Sequence, residues 1–400
     1  MKKQDILNNY DKYIMPTYTR IPVVFVKGKG MELTDINGKK YLDFFPGWGV
    51  NNVGHCHVKV MSAVRDQIGK LIHIPNNLYH PNQAKLAKEM IRTSFPGKVF
   101  FCNSGAEACE SAIKFARAYG NATNRFEIIT MEKSFHGRTL GALAATGQPK
   151  YKEDFGPLPH GFKSVPFNEL QVVKNAINPT TVAVMLELVQ GEGGVNIADP
   201  DYLQGLRELC DKKNLLLIFD EVQTGIGRLG EIYGFKHYKI QPDLMTLAKA
   251  LGGGLPIGAL VVKDSITDTF KPGMHASTFG GSPLVCKAAL GVYKAIYGQH
   301  MLRNTKKMGK YAMDALAQLM KKYHCITDVR GIGLMIGIEL NIEGKPIVDE
   351  CFRKGLLINC TQGNILRIMP ALNVTKRQID KALFIMEKAF EEITAEGDLQ

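Results

Sequence analysis

The sequence predicts an α/β protein: a large domain on a mainly parallel sheet with helices on both faces, and a smaller α+β domain. Three observations carry this. Between about residue 98 and residue 262, short β-rich runs alternate with helical patterns, the signature of strand–helix–strand units. The runs are apolar throughout rather than alternating, as strands buried on both sides require. Chemistry-bearing residues stand just after those runs, where open α/β sheets bind ligands.

In chain order, IPVVFVKGKG and MELTDINGKKYLDF read as short strands, with Asn37-Gly38 as a turn signal. This segment, 1–50, is expected to contribute to the small domain. VMSAVRDQIGKLI then reads as a helix within a large domain spanning 51–290. Its strands are KVFFCN, EIITME, TVAVMLEL, NLLLIFDEV, LMTLAK and ALVV, with AEACESAIKFARAYG and DYLQGLRELCDKKN as helices between them. Cys286 to Tyr323 reads as one long helical stretch. Residues 291–400 complete the small domain with ITDVRGIGLMIGIEL as strands and KRQIDKALFIMEKAFEEI as a closing helix. There is no internal repeat and no low-complexity linker.

The net charge of +12 raises nucleic-acid binding as a remote alternative. Acids and bases alternate, however, and no helix-turn-helix, zinc-finger or basic-arm signature is present. A basic excess also suits an enzyme of anionic substrates and a phosphorylated cofactor. The eight cysteines form no C-x-x-C pair and several sit in apolar runs, which suits reduced thiols. MKKQDILNNYDKY lacks an apolar h-region, and LLLIF is too short to span a bilayer. A cytoplasmic protein with no membrane partner is expected. His55 and His57 in GHCH look like a metal pair, but no further ligand lies at the right spacing; both are taken as structural, and no metal is expected.

Four loops carry the chemistry. In FFCNSGAEACESAIKFARAYG a strand ends at Asn103, and Ser104-Gly105-Ala106 opens a helix whose free N–H groups suit a phosphate; an ordinary N-cap serine would look the same. In NLLLIFDEVQTGIG, Asp220 ends a strand, either as a paired structural acid or as the partner of a buried cation, and Gln223 follows. The nearby Gly225-Ile-Gly-Arg-Leu-Gly230 fits G-x-G-x-x-G but starts too far past the strand to hold a dinucleotide. In MTLAKALGGGLPIG, Lys249 follows an apolar run, where a desolvated amine becomes a nucleophile for imine formation. In MEKSFHGRTLGALAATGQPKY, Phe135 and His136 offer flat faces and Arg138 a fork for a carboxylate. An acid for a pyridinium nitrogen, an imine lysine and a helix mouth for a phosphate together describe one cofactor, pyridoxal 5′-phosphate.

Together with TYTRIPVVFVKGKG, KKYLDFFPGWGVNNVGHCH, ELVQGEGGV, HASTFGGSPL and VRGIGLMIGIEL, these segments closely resemble the class-III pyridoxal-phosphate aminotransferases over nearly the whole chain. The resemblance implies the fold type I of PLP-dependent transferases, with a seven-stranded sheet, and a homodimer. It implies that Lys249 carries the cofactor and shuttles a proton, and that Asp220 keeps the ring nitrogen protonated. Gln223 would bond the phenolic oxygen, and Phe135 and Val222 would flank the ring. Ser104, Gly105 and Ala106 would hold the phosphate, with Thr278 reaching in from a second subunit. Arg138 and Tyr18 would take a substrate carboxylate, and Glu192 would act as a gate over Arg367.

The implied donor is an N-acyl-diamine such as N2-acetylornithine, with 2-oxoglutarate as acceptor, in arginine biosynthesis. Ornithine, 4-aminobutyrate, succinyl-diaminopimelate or a carrier-bound lysine precursor are the alternative donors. Leu188 (for proline), Ser282 (for asparagine), Pro46 and Trp48 depart from the family pattern. These departures bear on the substrate and leave the cofactor residues untouched.

Overall fold

A computed structural model describes residues 2–397. Seven strands form the large sheet: β1 Gly97–Cys102, β2 Glu127–Met131, β3 Phe162–Val165, β4 Thr181–Glu187, β5 Leu216–Asp220, β6 Leu244–Leu247 and β7 Gly258–Lys263. They lie in the order β1-β7-β6-β5-β4-β2-β3. β7 runs antiparallel to both its neighbours, and the remaining pairings are parallel. Every residue of β4 and β5 is buried, the consequence of apolar runs covered on both faces. Register then sets the site: Asp220 at the end of β5 stands beside Glu187 of β4 and Thr246 of β6.

The smaller part holds the antiparallel strands Ile326–Ile332, Met335–Leu340, Ile365–Ile368 and Asn359–Thr361, in that spatial order. The N-terminal strands Phe25–Lys29, Glu32–Asp35 and Lys40–Asp43 form a separate sheet, completed by Leu356–Leu357 from the C-terminal region. One contiguous apolar cluster runs from Phe219 and Leu247 under the large sheet to Ile336, Leu366 and Phe390. Each such side chain contributes about 1.5–3 kcal/mol through burial. Arg367, on the strand Ile365–Ile368, is therefore fixed relative to loops of the large sheet.

Two local readings change and one holds. The stretch 286–323 is two helices, Pro283–Gly298 and Met301–Lys322, broken at His300 in the left-handed region (φ 52°). Phe162–Val165 is a strand that its half-polar sequence, FKSV, concealed; it lies at the sheet edge, where one polar face is tolerated. The G-x-G-x-x-G run opens no helix. Its buried Arg228 donates from Nη1 to the carbonyls of Leu334 and Pro370, at 2.9 and 2.6 Å, and from Nη2 to Asn52 Oδ1. The run thus ties three distant segments together.

Candidate active site

The loops that leave the carboxyl ends of β1, β2, β4, β5 and β6 surround a cavity of about 260 Å³. It is lined by Gly105, Ala106, Phe135, His136, Gly137, Arg138, Glu187, Glu192, Asp220, Val222, Gln223 and Lys249. Ten of the residues singled out from the sequence thus meet in one place.

Helix Gly105–Gly120 begins at the cavity. Its N-cap is Ser104, whose hydroxyl accepts the Glu107 N–H at 3.2 Å and keeps its own proton free to donate. Gly105 packs on Val222 so closely that a Cβ would lie 2.7 Å from Val222 Cγ1. Only glycine fits against Val222 here, and Gly105 and Ala106 line the cavity at the helix start, where backbone N–H groups can meet an anion.

Asp220 is buried at the end of β5 and fully engaged. Oδ1 accepts from Val222 N–H and Thr246 Oγ1, each at 3.0 Å. His136 Nδ1 lies 2.7 Å from Oδ2, and Cys109 Sγ lies 3.3 Å from the same oxygen. A carboxylate only accepts, so His136 Nδ1 carries the proton. Burial pushes the Asp220 carboxyl up, but His136, the Val222 N–H and Cys109 outweigh it and hold it below the usual range. The site thus contains a buried carboxylate whose environment favours the charged form. His136 Nε2 is buried without a partner. The ligand atoms of Cys109, His136 and Asp220 lie within 4.8 Å of one another, as metal ligands would. Burial, however, raises the Cys109 thiol well above its ordinary range, so it acts as a donor to Asp220 rather than as a thiolate.

Lys249 lies two residues past β6, at the start of a 3-10 turn, with φ 39°. That conformation costs a non-glycine residue of order 1–3 kcal/mol and marks a constrained position. Burial, followed by the nearby Arg367 charge, lowers its pKa against the opposing pull of Glu192, Glu187 and Asp220. An amine so held is more readily neutral, and a neutral amine is a nucleophile.

Arg367 is fully buried beside Glu192. Its Nη1 donates to Glu192 Oε1 at 2.8 Å and more weakly to Gln223 Oε1 at 3.4 Å. Nε and Nη2 donate to Asn359 Oδ1 at 3.2 and 2.9 Å, and the guanidinium sits 4.7 Å over the Phe45 ring. Burial pushes the Glu192 carboxyl up, but Arg367 outweighs it and the carboxyl stays below its usual range. Arg138 stacks on Tyr151 at 3.9 Å and projects into solvent.

Two residues singled out from the sequence lie elsewhere, while Ser104 caps the helix next to the lining residue Gly105 without itself lining the cavity. Thr278 is exposed on the segment 275–280, in a separate hollow with Asn103 and Glu107. Tyr18 is exposed on the segment before the first strand, with Arg20 against its ring. His55 binds Asp43 Oδ2 at 2.7 Å, and His57 caps helix Val58–Ile68 through the Lys59 N–H. Sequence reasoning missed Glu187, although it ends an apolar run just as Asp220 does. It also missed Asn359, which faces Arg367 across an antiparallel pair of strands, and Phe45 and Tyr151, which only long-range packing brings to the site.

A family model described as Aminotransferase class-III matches residues 13–390. The acetylornithine aminotransferase of Methanocaldococcus jannaschii is 51% identical over 398 residues, covering 98% of this chain and 100% of that protein. A solved ornithine aminotransferase from Toxoplasma gondii, with PLP partly occupying its active site, superposes with a TM-score of 0.94 at 31% identity, covering 99% of this chain and 96% of that one. The acetylornithine aminotransferase of Elizabethkingia anophelis superposes with a TM-score of 0.87 at 31% identity, covering 98% and 100%.

Proposed function

The chain belongs to the class-III aminotransferases, and from that premise we propose that it moves the terminal amino group of N2-acetylornithine to 2-oxoglutarate. The products are N-acetylglutamate semialdehyde and glutamate, a step of arginine biosynthesis. The cofactor of this family is pyridoxal 5′-phosphate. The residues fit it: a glycine-lined helix mouth for a phosphate, a buried anion for a ring nitrogen, and a half-buried amine for an aldehyde.

When bound, the cofactor supplies an electron sink for charge developing on the substrate carbon. Ser104 and the N–H groups of Gly105 and Ala106 would hold the phosphate. Phe135 and Val222 would flank the ring, and Gln223 would bond the phenolic oxygen. His136 fixes Asp220 so that its charge keeps a proton on the ring nitrogen. Lys249 Nζ would hold the cofactor, then take the proton from the amine-bearing carbon and return it on the cofactor side. General acid–base work of this kind contributes about 10²–10⁴-fold. Because Gly105 touches Val222, Gly105→Ala is expected to weaken cofactor binding about tenfold or more through overpacking, read by absorbance titration of the apoprotein.

The observation that carries the substrate reading is the Glu192–Arg367 pair. An amine donor meets a neutral pair; a dicarboxylate needs a bare arginine. Glu192 that swings aside lets one pocket serve both, while Arg138, with Tyr18, takes the donor's carboxylate. Removing one partner of a buried pair costs about 3–5 kcal/mol, so an incoming carboxylate that replaces Glu192 recovers that interaction. With 2-oxoglutarate as acceptor, acetylornithine is expected to exceed ornithine and 4-aminobutyrate by about tenfold or more in kcat/KM, a margin worth about 1.4 kcal/mol. Ornithine as the preferred donor would overturn the assignment within the same chemistry.

A homodimer is supported by the apolar surface around Thr278. Ile72, Leu78, Tyr79 and Phe279 are exposed there, and His73 packs on Phe279 at 5.2 Å. Patches of that kind are rare on monomers. In such a dimer Thr278 would reach the phosphate of the second subunit. None of the described helices is long and apolar enough to cross a membrane. With all eight cysteines free, a reducing cytoplasmic location is the one we infer.

A further inference from the structure

Glu187 has no part in the chemistry above, yet it ends β4 inside the cavity at 5% exposure. Its Oε1 accepts the Phe135 N–H at 2.9 Å, and its Oε2 accepts the Gly191 N–H at 3.3 Å. The two donors belong to different loops. Phe135 stands on the loop that would flank the ring, and Gly191 directly precedes the gate residue Glu192. Gly191 also presses on Gln223, where a Cβ would lie 1.8 Å from Oε1. Glu192 leaves Arg367 by turning about its own side-chain bonds, and the reach of that turn is set by a backbone that the Gly191–Glu187 bond holds together with the Thr361 and Gln362 bonds to the Glu192 carbonyl.

We propose that Glu187 is a positioning residue that clasps the gate loop to the ring-flanking loop and thereby sets how readily Glu192 releases Arg367 to a dicarboxylate. This rests on the gate reading given above. A carboxylate accepts on both oxygens, whereas a protonated carboxyl or an amide has only one oxygen free to accept. The shorter bond to Phe135 keeps that acceptor, and the Gly191 bond is lost.

Burial pushes the Glu187 carboxyl up to about 7, with Asp220 adding to the push and His136 and the two N–H groups opposing it. His136, Asp220 and Lys249 are the titratable groups that face it. The sign follows. Below that value Glu187 is protonated and the gate loop is loose. As pH rises through it, the clasp forms, the backbone that carries Glu192 is held more tightly, and a dicarboxylate displaces the gate less readily.

The test uses the PLP-loaded enzyme and glutarate, a dicarboxylate without the reacting carbonyl, titrated by calorimetry. Wild-type affinity is expected to fall between about pH 6 and about pH 8, a step absent in Glu187→Gln. At the upper pH the variant is expected to bind about fivefold tighter, the worth of one such hydrogen bond. Hydrogen exchange at the Gly191 amide should accelerate in Glu187→Gln while Phe135 holds, and in the wild type Gly191 protection should drop as pH falls through 7. In a Glu192→Ala background, adding Glu187→Gln should change glutarate binding no further. Unchanged Gly191 exchange, or an equal effect of Glu187→Gln with the gate removed, overturns the clasp and leaves a bare charge effect. Glutarate binding that survives Arg367→Ala overturns the gate reading itself, and the clasp with it.

Discussion

Lys249→Ala is expected to abolish turnover while the chain folds as before. The loss should be at least the 10²–10⁴-fold of a positioned proton carrier, and larger because the cofactor loses its attachment. Folding should not suffer, and the reason is electrostatic. Burial lowers the Lys249 pKa in the folded chain, so the unfolded chain binds more protons there. The folded state therefore carries a penalty at neutral pH that fades only as pH rises toward the lysine's unfolded value. Alanine removes the charge and the penalty. The apoprotein of the variant should melt no lower than the wild-type apoprotein by calorimetry. Turnover within a few-fold of wild type would remove Lys249 from the mechanism.

Asp220→Asn should give the second large effect. Asparagine keeps the shape and one acceptor, but it cannot hold a proton on a facing ring nitrogen. Loss of one preorganised electrostatic contact at the reacting centre costs about 10²–10³-fold in kcat. The phosphate cradle at Ser104–Ala106 belongs to another strand end and is untouched, so the variant should still take up PLP. That split distinguishes a chemical role from a structural one: bound cofactor with collapsed kcat, rather than lost cofactor. A variant that turns over within about twofold of wild type would assign Asp220 to packing with His136, Cys109 and Thr246 alone.

Much of this site was legible because each key residue breaks a local rule. A lysine after LMTLA, an acid after LLLIF and a small Ser-Gly-Ala helix start all defy the burial preferences around them. Glu187 broke the same rule in TVAVMLE and went unread, since nothing nearby in sequence suggested a partner. Its donors, Phe135 and Gly191, come together only in the folded chain. Phe45 is invisible for the same reason, since it reaches Arg367 from the N-terminal segment, whereas Asn359 depends on the register of the strand pair that sets it opposite Arg367. In the fold, apolar runs gave six of the seven large-sheet strands, and the half-polar edge strand Phe162–Val165 escaped. The helix break at His300 depends on one left-handed residue that hydrophobic spacing does not encode.

The most direct test of the account is to load the purified protein with pyridoxal phosphate, treat it with borohydride and map the labelled peptide by mass spectrometry. A visible-edge absorbance that borohydride bleaches is expected, with one added cofactor on the peptide containing Lys249. A colourless protein after loading, or the label on any other lysine, would contradict it.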